Sequence, residues 1–376
     1  MKKNILVVDD SALMRRVICD IINSDSNFQA KDVCKDGLEA YERLKTTKYD
    51  GVLLDVNMPK MDGLQLLEKL QKERIKANVI MVSTLTTKDA DVTIRALERG
   101  AIDFVTKPTN IGQAKGEDFK QQLITIMNAV LNTRMSVRTM AHPSSTRTTG
   151  AIGTSTMSMT GSAKDVTKAT VKAPFTRLKP RTTGNKLVAL ACSTGGPKAL
   201  QSVIPKLPKN LDAPVVLVQH MPAGFTKSMA DRLNETSQIF VKEAADGDKL
   251  EKGQIYVAPG GKHMEVVKSP DGSHKIKLNT MPAIGGLRPC ANITYDSLSK
   301  SGFDQVVCVV LTGMGADGTN GILSLGHHKP IHVITQTADT CVVYGMPKAI
   351  AESGVADDIV PLEKIAETIT KNVGVK

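Results

Sequence analysis

Short apolar runs recur along this chain, and most of them stop at a polar residue with chemistry of its own. Over residues 1–130 the runs are Ile5–Val8, Gly51–Leu54, Val79–Val82 and Ile102–Val105, each with acidic or polar residues at its C-terminal end. Helix-length amphipathic stretches, such as Ala12–Ile22 and Leu64–Glu73, lie between them. Strands alternating with helices predict a doubly wound parallel sheet whose site lies at the C-terminal strand edge. From residue 185 onward the logic repeats in Leu187–Ala191, Val215–Val218, Ile255–Ala258, Val306–Leu311 and Ile331–Ile334. Several of these are almost continuously apolar, as parallel strands covered on both faces should be. Lys275–Leu278 adds a candidate antiparallel piece. The fold class expected is therefore α/β twice over.

Charge separates these two units from what joins them. Residues 1–130 carry 20 Lys/Arg and 19 Asp/Glu, residues 131–184 carry 9 and 1, and residues 185–376 carry 20 and 18. Eight of the eleven net positive charges thus sit in the middle. From about Ser136 to Gly184 that segment is rich in Ser, Thr, Met and Lys with little apolar periodicity, which predicts a flexible basic tether over 131–184. The flanking units are close to neutral, so a basic nucleic-acid face is not expected on either. Aromatics are 3% with no Trp, which also argues against base-stacking platforms. No apolar run approaches membrane-spanning length, and the N-terminus does not read as a signal peptide, so no membrane insertion is expected. The six Cys lack metal-ligand spacing and read as reduced thiols of a cytoplasmic protein.

In the first unit the strand ends carry matching chemistry. Asp9 and Asp10 follow the first strand, Asp55 the third, Ser83 the fourth and Lys107 the fifth. Parallel strands would gather these ends. Clustered carboxylates with a backbone carbonyl suit a hard Mg²⁺ ion, while Lys and a hydroxyl suit a phosphoryl group. Any one strand-end Asp alone reads as a helix cap. Together, Val-Val-Asp-Asp-Ser (7–11), the run from Leu54 to Gly63, Ser83-Thr84 and Lys107-Pro108 resemble the receiver domain of two-component response regulators over about residues 1–125.

That resemblance implies a flavodoxin-like five-stranded sheet and phosphorylation of Asp55 by a histidine kinase. Mg²⁺ would be held by Asp10, Asp55 and the carbonyl of Asn57, with Asp9 assisting. Ser83 and Lys107 would contact the phosphoryl group, and Phe104 would be the switching aromatic. Related esterase-linked receivers often have Glu where Asn57 stands, a change that a carbonyl ligand tolerates.

In the second unit Leu187–Ala191 runs into Cys192-Ser193-Thr194-Gly195-Gly196-Pro197. A Ser at a strand-to-helix turn before paired Gly reads as an exposed nucleophile, a phosphate-cradling loop or a helix cap. Two further strand ends bear on this. One carries Gln219-His220-Met221-Pro222, the other Thr312-Gly313-Met314-Gly315-Ala316-Asp317-Gly318. A serine nucleophile needs a His base and a carboxylate to fix its tautomer, and Ser193, His220 and Asp317 supply all three. His263 and the group His327, His328 and His332 are competing bases or ligands, and spacing alone does not choose between them.

Beyond spacing, Ser-Thr-Gly-Gly-Pro (193–197), Gln-His-Met-Pro (219–222), Tyr-Val-Ala-Pro-Gly (256–260), Leu-Thr-Gly-Met-Gly-Ala-Asp-Gly (311–318) and Cys-Val-Val-Tyr-Gly-Met-Pro (341–347) resemble the catalytic domain of chemotaxis protein-glutamate methylesterases. The match spans roughly 186–370. It implies that Ser193 attacks the γ-methyl ester of a chemoreceptor glutamate, with His220 as general base and Asp317 as its orienter. Thr194 and the Met314 backbone would help form the oxyanion hole, and glutamine deamidation would use the same chemistry without a cofactor. Recruitment to membrane receptor clusters follows from such a substrate. Three places depart from the family pattern. Ala191-Cys192 stand where Gly-Ala is usual, Leu287–Asn292 replaces His-Arg-Pro-Ser-Val-Asp, and Leu325–Pro330 replaces a small-residue turn. Two rival classes are a regulator whose second domain only binds a ligand, and a DNA-binding regulator, which the near-neutral charge of 185–376 disfavours.

Overall fold

The computed structural model describes residues 1–108, 116–132, 178 and 183–375, so nearly all of the expected tether lies outside the described residues. The N-terminal unit alternates β1 (Lys3–Val8), α1 (Ala12–Ser24), β2 (Phe28–Cys34), α2 (Gly37–Thr46), β3 (Gly51–Asp55), α3 (Gly63–Lys72), β4 (Val79–Ser83), α4 (Thr87–Glu98), β5 (Asp103–Thr106) and α5 (Glu117–Asn132). Its five parallel strands are ordered β2-β1-β3-β4-β5, the flavodoxin-like order.

Local chemistry starts each helix where its strand stops. Ser11 caps α1 by accepting from the Met14 N–H, Asp36 caps α2, and Thr86 caps α4. Asp62 and Gln65 close a capping box on α3. These residues satisfy orphan N–H groups, which frees Asp9, Asp10 and Asp55 from that duty.

The C-terminal unit contains β6 (Lys186–Cys192), α6 (Gly196–Val203), β7 (Val215–Gln219), α7 (Phe225–Thr236), β8 (Phe240–Glu243) and β9 (Gln254–Val257). Then come β10 (His263–Lys268), β11 (His274–Asn279), α8 (Ala291–Ser297), β12 (Gln305–Val310), α9 (Thr319–His328), β13 (Ile331–Gln336), α10 (Met346–Ser353), β14 (Asp358–Val360) and α11 (Ile365–Val373). Seven parallel strands run β14-β13-β12-β6-β7-β9-β8, while β10 and β11 form a separate antiparallel hairpin that contains the expected piece Lys275–Leu278.

Strands β6, β7 and β12 are buried along their whole length, which explains their continuously apolar sequences. From β6 the chain progresses outward through β7 and β9, then returns to add β12 on the other side of β6. The order therefore reverses at β6, the place where open α/β sheets form their site. Apolar residues of the two units also merge. One buried cluster holds Leu97, Ala101 and Phe104 of the first together with Ala199, Phe225 and Met229 of the second.

Candidate active site

Ser193, His220 and Asp317 follow the ends of β6, β7 and β12, three neighbouring strands at the switch point. The strand register pairs Cys192 with Gln219 and Val310 with Ala191, so the residues that follow them emerge together at one edge.

Asp317 is ringed by protein donors. Oδ2 lies 2.8 Å from His220 Nε2 and accepts from the Ala291 N–H at 2.6 Å. Oδ1 accepts from the Asn292 N–H at 3.0 Å, the Gly318 N–H at 2.9 Å and the Cys290 thiol at 3.1 Å. Burial pushes this carboxyl upward, but the bonds from His220, Ala291 and Cys290 outweigh it and hold it at about 2. An ionised Asp317 can only accept, so His220 Nε2 carries the proton and Nδ1 is left as the basic nitrogen.

The Ser193 turn is fixed through its backbone. Ser193 N–H donates to the Thr312 carbonyl at 3.0 Å, and the Ser193 carbonyl accepts from Gly196 N–H at 2.7 Å and Gln219 Nε2 at 3.0 Å. Gly195 caps α6 at φ +75° without any side-chain bond, so Ser193 is not the cap of that helix. A Cβ at Gly195 would also meet Val342 Cβ at 2.5 Å. Thr194 is buried and its carbonyl accepts from Thr312 Oγ1 at 2.9 Å, while the Met314 side chain is exposed.

The competing histidines lie elsewhere. His263 is buried with Nε2 at 3.2 Å from the Pro282 carbonyl. His332 sits near the start of β13, at the opposite sheet edge, and pairs with Asp358 at 2.7 Å. His327 and His328 end α9, where His328 Nδ1 lies 2.9 Å from Ser324 O.

At the first unit's edge, Lys107 Nζ bridges Asp9 Oδ2 and Asp55 Oδ2, each at 2.7 Å. Burial raises Asp55 to about 6, Lys107 opposes that, and Asp9 adds to it. Carboxylate oxygens of Asp9, Asp10 and Asp55 lie within 4.8 Å of one another, the one such cluster among the described residues. An all-oxygen, acidic donor set fits a hard divalent cation. Ser83 is buried and accepts from Thr93 Oγ1 at 2.7 Å. Asn57 Nδ2 donates to Asp89 Oδ1 at 2.6 Å, so this side chain is engaged with Asp89 and not with Asp9, Asp10 or Asp55.

Between the units, Phe104 stacks on Phe225 with ring centroids 4.5 Å apart and planes 18° apart. Arg232 Nε donates to Glu98 at 2.7 Å. Asp103, one residue before the expected switching aromatic, is buried and accepts from the Phe104 N–H at 2.8 Å, with Thr194 of the second unit beside it. Burial raises its carboxyl to about 6 against the pull of the Phe104 N–H and Thr194. Sequence reasoning did not find Asp103, because nothing in either unit's own pattern announces a contact with the other.

A CheB methylesterase model matches residues 188–369, and a response regulator receiver domain model matches residues 5–115. A Pyrococcus horikoshii protein named protein-glutamate methylesterase/protein-glutamine glutaminase is 41% identical over 372 residues, covering 99% of this chain and 94% of its own. This chain belongs to that methylesterase/glutaminase family. A Bacillus subtilis protein of the same name is 39% identical over 369 residues, covering 98% of each. The crystal structure of the Thermotoga maritima CheB methylesterase catalytic domain is 42% identical, covers 50% of this chain and 98% of its own, and superposes with a TM-score of 0.45.

Two of the three departures sit around Ser193 and Asp317, while Leu325–Pro330 lies at the end of α9. Cys290 and Asn292 both donate to Asp317, and Asn292 Oδ1 accepts from the Gly318 and Gly321 N–H groups at 3.1 and 2.7 Å. Cys192 immediately precedes Ser193 and donates to Gln219 Oε1 at 3.0 Å. No described helix is long and apolar enough to cross a membrane.

Proposed function

We propose that this chain removes methyl esters from chemoreceptor glutamates, deamidates receptor glutamines by the same acyl chemistry, and is controlled by phosphorylation of Asp55. The observation that carries the reading is the ionised Asp317 on His220 Nε2, beside the turn that presents Ser193. Ser193 Oγ attacks the γ-carbonyl carbon and gives its proton to His220 Nδ1. Asp317 stabilises the imidazolium, and backbone donors around Thr194 and Met314 receive the oxyanion. The C–O bond to the methoxy group breaks, and Nδ1–H protonates it to methanol. Water then attacks the acyl carbon, its proton passing to Nδ1; the acyl carbon–Oγ bond breaks, Nδ1–H returns the proton to Ser193 Oγ, and glutamate is released. With glutamine the leaving group is ammonia.

A second domain that merely binds a ligand, with Ser193 as a helix cap, loses its support because Gly195 occupies that cap. The deciding experiment incubates the chain with membranes of methylated chemoreceptors and follows receptor peptides by mass spectrometry. Loss of methyl groups from glutamates is expected. Unchanged receptors, in a preparation that hydrolyses a generic ester, would sink the substrate assignment.

Regulation would act at the cytoplasmic receptor clusters through a chemotaxis histidine kinase. Mg²⁺ would be held by Asp9, Asp10, Asp55 and the Asn57 carbonyl, and when bound it neutralises charge on the phosphoryl group. Asp55 supplies the nucleophilic oxygen, while Lys107 and Ser83 hold phosphoryl oxygens. Asp55→Asn keeps the shape and removes the nucleophile. A small-molecule phosphodonor is expected neither to label this variant nor to stimulate its esterase, and labelling at the wild-type level would refute Asp55 as the acceptor.

In the unphosphorylated chain the receiver is proposed to occlude the catalytic face, a reading supported by Phe104 on Phe225 and Asp103 on Thr194. Phosphorylation then shifts a docked/undocked balance kept within reach by the tether. Asp103 makes that balance pH-sensitive. Its docked pKa of about 6 lies above the ordinary 3.8, so docking is strongest below the ordinary value and weakens as pH rises through about 6. Unphosphorylated wild-type activity, divided by that of Asp103→Asn, is expected to rise as pH rises through about 6. A flat ratio would remove Asp103 from the docking contact.

A further inference from the structure

One buried side chain touches both the nucleophile residue and the base residue without being either. Gln219 ends β7, pairs in register with Cys192 at the end of β6, and is 2% exposed. Its Nε2 donates to the Ser193 carbonyl at 3.0 Å and to the His220 carbonyl at 3.1 Å. Its Oε1 accepts from Cys192 Sγ at 3.0 Å. Both amide N–H groups and the carbonyl oxygen are therefore engaged, two of the bonds on the residues whose side chains must exchange a proton.

The surroundings are shaped around this amide. A Cβ at Gly196 would come within 2.0 Å of Gln219 Oε1, so the glycine after the nucleophile turn makes room for it. On its other side the Ser193 N–H is anchored to the Thr312 carbonyl, just beyond the strand that leads to Asp317. The Ser193 backbone is thus tied to β7 through Gln219 and to β12 through Thr312. Burial pushes the Cys192 thiol upward, so it stays protonated and remains a donor to Oε1. Nitrogen and oxygen of an amide have nearly the same shape, so its orientation is dictated by such partners.

We propose that Gln219 is a positioning residue for the esterase, its carboxamide oriented by the Cys192 thiol and setting the separation of Ser193 from His220. The proposal rests on the Ser193–His220–Asp317 reading above. Proton transfer from Oγ to Nδ1 falls steeply with distance, and this amide joins the backbones on which the two side chains hang, beside the His220 N–H bond to the Cys192 carbonyl at 3.2 Å. The Ala-to-Cys departure beside the nucleophile thereby has a role. It supplies the donor that completes the buried amide.

The test uses the full chain and compares Gln219→Met, Gln219→Glu, Cys192→Ala and Cys192→Ser with wild type. Active sites are titrated with a fluorophosphonate that labels reactive serine, and turnover of a generic ester is expressed per labelled site. A merely structural role lowers the number of labelled sites, whereas a positioning role lowers kcat per site and the rate of labelling. Both Gln219 variants are expected to lose about 10- to 100-fold in kcat per site with KM changed less than about twofold. Cys192→Ala is expected to lose severalfold, and Cys192→Ser, which retains a donor, to recover most of that loss. Wild-type kcat per site in Gln219→Met overturns the proposal. If the Gln219 variants do not fold, equal kcat per site in Cys192→Ala and Cys192→Ser overturns it instead. Ser193→Ala runs alongside. Turnover in that variant refutes the triad itself, whereas an inactive Ser193→Ala with an unaffected Gln219→Met refutes only the positioning role.

Discussion

Ser193→Ala is expected to lose essentially all esterase turnover, by about 10³-fold or more, while the protein stays folded. The two halves of that expectation rest on different atoms. The turn is held by the Ser193 N–H on Thr312 and by the Ser193 carbonyl under Gln219 and Gly196, all of which alanine retains. Helix α6 starts from Gly195 without a side-chain cap, so no capping energy is forfeited. The hydroxyl, by contrast, has no substitute. Cys192 is adjacent, but its thiol is buried, pushed toward the protonated form and turned into Gln219. A protonated thiol is a poor nucleophile, so it cannot take over. Methanol release from methylated receptors, with circular dichroism as the folding control, reads both halves. Turnover within about tenfold of wild type would show that the acyl group is carried elsewhere.

What the sequence made legible follows from how each element is buried. Strands β6, β7 and β12 are covered on both faces and therefore spell themselves out as unbroken apolar runs. Their ends bring Ser193, His220 and Asp317 to one edge because parallel strands share a direction. Edge strands were harder. Strand β2 alternates buried and exposed residues through Phe-Gln-Ala-Lys-Asp-Val-Cys, and no run marks it. Strands β8 and β14 are edge strands of 4 and 3 residues with partly exposed sides, too short to carry a pattern. The donors around Asp317 were invisible for another reason. Ala291 and Asn292 act through backbone N–H groups, whose direction depends on where α8 begins rather than on residue type. Asp103 needed the docking of two units, and neither unit's own periodicity encodes that contact.

Asp317→Asn is the sharper test of how the site works, because it changes one atom and keeps the shape. The wild-type carboxylate accepts from His220, from the N–H groups of Ala291, Asn292 and Gly318, and from the Cys290 thiol. Every partner is a donor. An asparagine brings one oxygen and one NH₂, so whichever way it turns, two hydrogens face a donor set that needs acceptors. If the NH₂ faces His220, the ring must present an unprotonated Nε2. Its remaining proton then sits on Nδ1, the nitrogen that should receive the Ser193 proton. If the oxygen faces His220, the NH₂ is driven against the Asn292 and Gly318 N–H groups at a cost of about 1–3 kcal/mol for the unpaired buried donors. The imidazolium formed during attack also loses its compensating charge in either case. A loss of about 10⁴-fold in kcat at neutral pH is therefore expected, with much smaller effects on substrate binding. The same carboxylate contributes to stability in one direction only. Held at about 2 in the folded protein, it adds stability above the ordinary carboxyl range that is lost as pH falls through about 2. Asp317→Asn should accordingly lower the melting temperature at neutral pH and narrow the difference from wild type in strong acid. Catalysis within about tenfold of wild type would mean that His220 finds its tautomer without Asp317, and the geometry at this strand edge would need another explanation.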